Sequence, residues 1–511
     1  MSQTLASVAP DQRDTLALAD ERVELSWNQL DPVLNRVANG MAAAVDGVRR
    51  AAVFAPNSAE TVIAYVAGLE AGVSTVPVSY HLTAGEVAYI LGDSGASILF
   101  VGPETLEAGL EAARETGVRT VVGWRCPPRD GVIAWDDWLA AASDAEPDPT
   151  VKPLPHLHYT SGTTGKPKAT ETPPQYFPEA ATVAELAEIL RPKRTPSPGI
   201  AVGPLYHTGP LGMARNVFAG TGLVVMGHFD PEQALALIEK HKVKGSVMVP
   251  THFQRFLGLP EEVRGKYEVS SMERLAHTGA ACPRDVKKAM IDWFGPVIVE
   301  AYGGTEAGST TFITSPEWLQ RPGSVGKALP PYSTVIIGED GKELGPNAEG
   351  QVYFRDSTGR GIIYAGDPEK TAAAHIAPGV FTLGEVGYID EEGYLFITDR
   401  VSDMIVSGGV NIYPAEAEQV LIRHPEVADV AVLAAPNKEM GEEVKALVIP
   451  RDPANPPGAE ELNRFCRESL AGFKCPRSYD FVEDIGRNAM GKVNKKQLRQ
   501  RYWPEGRTIG G

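Results

Sequence analysis

Sulfur is scarce in this chain. Four cysteines stand in 511 residues, at Cys126, Cys282, Cys466 and Cys475. None forms a C-x-x-C pair or keeps zinc spacing with histidine, which argues against a dithiol motif or a zinc module. Free thiols in a reducing cytosol are the expectation. Long apolar runs are missing as well, and no stretch approaches the length of a bilayer span. The first thirteen residues are polar, without the apolar core of a signal segment. Positive charge is in deficit, with 48 Lys and Arg against 65 Asp and Glu and a net charge of −17. Long-range repulsion then opposes broad adhesion to nucleic acid or anionic membranes, while a local basic pocket can still hold a small phosphate compound. No repeat of 20–50 residues is present, which argues against a solenoid. These absences predict a cytoplasmic protein with no nucleic-acid partner and no membrane span.

What is present is length and alternation. A chain of 511 residues exceeds one compact core, so at least two domains are expected. Leu30, Leu34, Val37 and Met41 recur at helical spacing behind Ser26, a plausible N-cap. Short apolar strands near 51–55, 73–78 and 98–101 alternate with helices near 60–71 and 84–93, which points to βαβ units and parallel-rich sheets. Residues 143–155 and 173–198 are proline-rich connectors, the second with a helical island at 182–190. A β-rich accessory section with a turn at 338–345 runs to about 364, and a small α+β pattern occupies the C-terminal part.

The chain is organised around residues 159–169, Tyr-Thr-Ser-Gly-Thr-Thr-Gly-Lys-Pro-Lys-Ala. Gly162 and Gly165 let the backbone turn and approach a ligand. Exposed amides in such a turn cradle anionic oxygens, with hydroxyls from Thr160, Ser161, Thr163 and Thr164 and charge from Lys166 and Lys168. The glycines are too close for a Walker A loop, and Pro167 stands where that loop needs a hydroxyl. An ordinary Ser/Thr/Gly turn is the plain alternative. A second stretch, 297–306, is an apolar strand ending in Tyr302, Gly303, Gly304, Thr305 and Glu306. Ligands of open α/β sheets collect at such carboxyl ends. Tyr302 could stack on a purine, Thr305 could bond a phosphate oxygen, and Glu306 offers the oxygen that Mg2+ prefers. Gly303 and Gly304 are also consistent with a roomy pocket. Gly279, Ala280 and Ala281 would let a flat ligand lie against the backbone, although close packing explains them equally.

Residues 159–168 resemble the phosphate loop of the AMP-forming adenylating enzymes, the superfamily of acyl-CoA synthetases, peptide-synthetase adenylation domains and luciferases. Matching motifs run from Tyr159 to Lys492. The resemblance implies a large N-terminal AMP-binding domain, 1–399, and a small mobile C-terminal domain, 400–511, joined by a hinge at 399–402 that includes Ser402. It implies ATP, Mg2+ and CoA as cofactors and a carboxylic acid as substrate. His207 would gate the acyl pocket, Glu385 and Arg400 would hold ribose or phosphate, and Lys492 would be the catalytic lysine, acting with Glu306, Thr305 and His207. Ser407, Gly408 and Gly409 would line a pantetheine channel after the small domain rotates. The chain departs from the family pattern in three places: Glu385 replaces the usual Asp, Ser402 occupies the hinge position, and Ala169 replaces a glycine. Ala169 would strain the loop if its φ had to be positive. The function implied is an acid–CoA ligase of fatty-acid metabolism type, acting on a hydrophobic fatty, steroid side-chain or aryl acid. A carrier-protein loading enzyme and a nucleotide-binding pseudoenzyme are the alternatives, and the oligomeric state, homodimer included, stays open.

Overall fold

The computed structural model describes residues 1–45, 47–160, 168–170, 172–191, 197–338, 340–364, 367–400, 403–407, 410–437, 440–470, 472–488 and 491–503. Ser26 starts the helix Trp27–Ala44 through a capping box with Gln29, and the buried face of that helix carries Leu30, Leu34, Val37 and Met41. Strands Arg50–Phe54, Ser74–Val78 and Ile98–Val101 alternate with helices Ala59–Glu70 and Ala84–Ser94. The three strands pair in parallel and form, with Thr120–Gly123 and Ile133–Ala134, a five-stranded sheet. Ala51, Ala52, Val53 and Phe54 are all buried, the unbroken apolar run of a strand covered on both faces.

A second sheet, of 15 strands among the described residues, holds most of the rest of the large domain, and His158–Thr160 with Lys168–Thr170 forms a separate two-stranded sheet. Its strands Gly199–Ala201, Gly245–Met248, Arg274–His277 and Ile298–Gly304 lie side by side in parallel. The direction then alternates. Gly308–Thr314 returns antiparallel to Ile298–Gly304, and Ser324–Ala328, Leu395–Arg400, Glu385–Ile389 and Gly350–Asp356 continue outward as the accessory β section. The change of direction falls at the turn that holds Thr305 and Glu306.

The small C-terminal domain has its own mixed sheet, of five strands among the described residues, with Gly441–Pro450 paired to Val427–Asn437, Ile405–Ser407 and Ser478–Phe481. Helices Pro414–Leu421 and Ala459–Arg467 back it around a core that includes Ile405, Val432, Val448 and Leu462. The second helix ends at Arg467 with Glu468 as its C-cap residue, and the Ser469 amide then makes a tighter i−3 bond to the carbonyl of Cys466. Helix Pro414–Leu421 also packs along Leu395–Arg400 of the large domain. Among the described residues no helix is long and apolar enough to cross a membrane.

Candidate functional site

The Ser/Thr/Gly loop is held at the mouth of a hairpin. Strand His158–Thr160 pairs antiparallel with Lys168–Thr170, with Thr160 opposite Lys168 and Tyr159 opposite Ala169. Ala169 is therefore in regular strand pairing and is absent from the positive-φ residues, so the strain considered for it does not arise. The hydroxyl of Tyr159 donates to Asp93 at 2.6 Å and ties the hairpin to the helix Ala84–Ser94. Ser161, Gly162, Thr163, Thr164, Gly165 and Lys166 lie outside the described residues, as do the side chains of Thr160, Lys168 and Arg400.

The second motif forms the turn of the hairpin Ile298–Gly304 and Gly308–Thr314, with a register shift between Tyr302 and Gly303. A Cβ on Gly303 would lie 1.9 Å from the carbonyl oxygen of Gly308. Gly303 is thus required by backbone approach across the hairpin, and the roomy-pocket reading of this residue is corrected. Gly308 takes φ +76, and the Gln175 amide brackets its neighbour Ser309, accepting from the Ser309 N–H at 2.7 Å and donating to its carbonyl at 3.1 Å. Below the turn, the buried Lys287 ammonium donates to Glu300 at 2.5 Å, so the strand leading into the site is anchored by a paired charge.

Two tyrosines hold the two carboxylates of the site. Tyr302 donates to Glu385 at 2.6 Å, and Tyr364 donates to Glu306 Oε1 at 2.7 Å. Burial and the adjacent carboxylates push the Tyr364 phenol up, so it stays a donor. The backbone of Tyr364 also bridges Thr170, at the foot of the Ser/Thr/Gly loop. Glu385 is buried and stands directly opposite Arg400 in the strand register. Thr305 accepts a 3.4 Å hydrogen bond from Thr208, the first residue of the helix Thr208–Phe218. Gly279, at φ +88, follows the end of strand Arg274–His277, and from it continue Ala280, half-buried, and Ala281, exposed.

His207 precedes the helix Thr208–Phe218 as its N-cap residue. Burial, with the nearby charge of Lys492 next, lowers its pKa to about 4, so the imidazole is neutral at pH 7. Lys492 belongs to the small domain and directly follows a turn closed by Gly491 N–H to Asn488 O, with Lys492 N–H bonded to the Asn488 side chain. Gly491 takes φ +71, and a Cβ there would meet Thr251 Cγ2 at 3.0 Å, so the turn sits against the helix Pro250–Leu257 of the large domain. The two domains thus bring Lys492 and His207 together. Ser407, by contrast, is buried in its strand beside Gly441, and Gly408, Gly409 and Ser402 lie outside the described residues.

Beside His207 a cavity of about 300 Å³ opens between the helix Thr208–Phe218 and the carboxyl ends of the parallel strands. Leu211, Met213, Phe177 and Val247 make much of its wall apolar. His156 and His158 also border it, lowered by burial to about 3 and about 4 and therefore neutral. Sequence reasoning missed Tyr364, Thr208 and this cavity's polar residues. Tyr364 carries no local signal, whereas Arg215 could have been noticed as the one cation in the helix Thr208–Phe218.

For Mg2+ the donor set is a single carboxylate. Glu306 Oε2 has no hydrogen bond among the described residues, and no cluster of three acidic, His or Cys side chains suited to a metal is found among them. That fits a hard cation held by one protein oxygen and completed by phosphate oxygens and water.

Comparison with known proteins matches residues 5–361 to the AMP-binding enzyme family and residues 416–492 to the AMP-binding enzyme C-terminal domain. The chain is 31% identical to the fatty acid–acyl-carrier-protein ligase ScoC of Streptomyces coeruleorubidus, over 98% of this chain and 96% of that protein. It is 32% identical to a feruloyl-CoA synthase of an Amycolatopsis species, over 94% of each. The structure of ATP-bound MatB from Rhodopseudomonas palustris superposes with a TM-score of 0.80 at 28% identity, covering 98% of this chain and 99% of that one.

Proposed function

Because this chain belongs to the AMP-binding enzyme family, we propose that it is an ATP-dependent acid–CoA ligase acting on a carboxylic acid with an apolar body. The observation that carries this reading is the placement of the Lys492 turn against Thr251, beside His207 and the mouth of the cavity. A carboxylate is a poor acyl donor. In the first half-reaction its oxygen bonds to the α-phosphorus of ATP, the bond from that phosphorus to the bridging oxygen breaks, and pyrophosphate leaves. In the second, a thiol sulfur bonds to the acyl carbon, the acyl–phosphate bond breaks, and AMP leaves.

In this reading the acid lies in the cavity with its carboxylate at the Thr208 end. Lys492 reaches between that carboxylate and the α-phosphate and offsets the charge that develops there. The 160–168 loop would hold the outer phosphates, Thr305 would bond a phosphate oxygen, and Glu306 would hold Mg2+, which supplies positive charge against them. Tyr302, Glu385 and Arg400 fix the nucleoside beside Gly279, Ala280 and Ala281, and Tyr302 sets the Glu385 carboxylate against ribose. Neutral His207 closes the acyl pocket without adding a second cation beside Lys492. The domains divide at 399–402, and a turn of the small domain there withdraws Lys492 and brings Ser407, Gly408 and Gly409 to the thiol. A cytoplasmic enzyme is the corresponding setting.

The test is AMP release from ATP with fatty and aryl acids, with and without CoA. CoA-dependent AMP and thioester formation is expected; ATP binding without either product would refute the ligase reading. A second acceptor, the pantetheine of a carrier protein, is favoured by the likeness to ScoC. Turnover with a pantetheinylated carrier and none with CoA would decide for it.

A further inference from the structure

Arg274 borders the cavity beside His207 and stacks over the Phe312 ring, 5.4 Å from its centroid; the cavity contains a second charge that its apolar walls do not explain. Arg215 borders it, on the helix Thr208–Phe218. Its Nε is buried without a hydrogen-bond partner, and the guanidinium forms no ion pair or hydrogen bond with any described residue. Three other partly buried arginines are held differently: Arg125 pairs with Asp20 and Glu60, Arg499 with Asp403, and Arg487 with Asp429. An unpaired guanidinium in a largely apolar cavity is costly to the folded protein. Simple packing would favour methionine or leucine at this position, as at the neighbouring Leu211 and Met213.

The surroundings of Arg215 suit an oxygen ligand. Tyr176 and Ser309, joined at 3.2 Å, stand on the same cavity, and so does the buried His156, whose Nε2 also lacks a partner. His156 Nδ1 is engaged by Thr75 at 2.5 Å, which orients the ring. Thr208 and Arg215 are seven residues apart, two turns along one helix face and a rise of about 10 Å. A helical side chain leans back toward the N-terminus, so the guanidinium reaches toward the reacting end.

We infer that the acid is bifunctional: besides the carboxylate that is activated near Thr208, it carries a second oxygen acceptor, a carboxylate or a carbonyl, that Arg215 binds within two helical turns of Thr208. The inference rests on the ligase reading and narrows its substrate class. Arg215 is the specificity determinant, since the acceptor supplies the partner that the protein does not. A simple fatty acid of the same length would leave the guanidinium desolvated and unpaired.

The experiment compares pyrophosphate release for matched acids of equal chain length, with a methyl, keto or carboxylate terminus, in the wild-type chain, Arg215→Met and Arg215→Lys. The wild type is expected to prefer a keto- or carboxylate-ended acid over the methyl-ended one by at least about tenfold in kcat/KM. Arg215→Met is expected to lower kcat/KM for the bifunctional acid by about 10²-fold and to bring the ratio near one or invert it. Arg215→Lys restores part of the preference for the carboxylate. A wild-type ratio near one, or a ratio that Arg215→Met leaves intact, overturns the inference. Equal loss on every acid marks a structural role and overturns it too. A wild-type chain inert on all acids would refute the ligase reading instead. The inference is then read by calorimetric binding of the dicarboxylate to the chain with AMP, and binding that Arg215→Met does not weaken overturns it.

Discussion

Gly303→Ala should disable the site through one methyl group. The added Cβ would stand 1.9 Å from the carbonyl oxygen of Gly308. Ordinary contact begins at 3.4 Å, so the hairpin must open by about 1.5 Å in the segment that carries Thr305 and Glu306. The obstacle is backbone, which cannot swing aside as a side chain can. Misplacing a reacting group by about 1 Å costs on the order of 10²-fold in rate, and forced overpacking costs about 1–3 kcal/mol of stability. Pyrophosphate release is therefore expected to fall about 10²-fold, with a lowered melting temperature. Gly304→Ala is the internal control. Its Cβ would meet only side-chain ends, Glu306 Oε2 at 3.1 Å and Leu383 Cδ2 at 3.3 Å. It should raise the Mg2+ concentration needed for half-maximal rate while affecting the maximal rate less than Gly303→Ala does. Steady-state rates over a Mg2+ titration measure both. Wild-type rate and melting temperature in Gly303→Ala, or Gly304→Ala as the more damaged of the two, would refute the backbone argument.

Other expectations concern the moving parts and the buried rings. Lys492→Ala should cut adenylate formation by about 10²–10³-fold and largely spare thioester formation from supplied acyl-adenylate; equal loss of both half-reactions would count against its role. Ser402→Pro should slow the thiol step more than adenylation, and unchanged kinetics in both would remove the hinge. Tyr302→Phe deletes the donor to Glu385 and is expected to raise KM for ATP by about fivefold with KM for the acid unmoved; a matching rise for the acid would show a general disturbance. Burial lowers His156 to about 3 and His158, His207, His252 and His277 to about 4, against an ordinary value of 6.5. These rings take up protons on unfolding, so stability is full above 6.5 and is lost as pH falls toward 4. The melting temperature should drop across that window, and a flat profile from pH 7 to pH 5 would contradict the burial assignment.

Local chemistry made much of this legible in the sequence. Ser26 and Gln29 announce a helix start because the capping box is a short-range device, and the alternation of strands and helices before residue 101 announces parallel pairing. The residues at 159–168 and 302–306 stand out because hydroxyls, glycines and charges are concentrated there. What stayed hidden depends on distant pairing. Nothing near Tyr364 shows that it holds Glu306, 58 residues away. Nothing near Gly303 shows that its missing Cβ faces Gly308 rather than a ligand. Arg215 looks like any surface cation until the cavity around it is seen. The Gly491 turn could be matched to a motif, yet only the packed domains show it resting on Thr251.

Tyr364 is part of two attachments at once. Its main chain is stitched to Thr170, and its phenol grips Glu306. On the proposed reading, a phosphate tail seated in the loop upstream of Thr170 is linked through Tyr364 to the Glu306 carboxylate, whose other oxygen is the one left for the metal. Thermodynamic reciprocity makes the effect mutual: whatever free energy the cation adds to nucleotide capture, the nucleotide returns to cation capture. Tyr364→Phe should weaken that mutual effect and leave the part carried by direct contact between the cation and the phosphate oxygens.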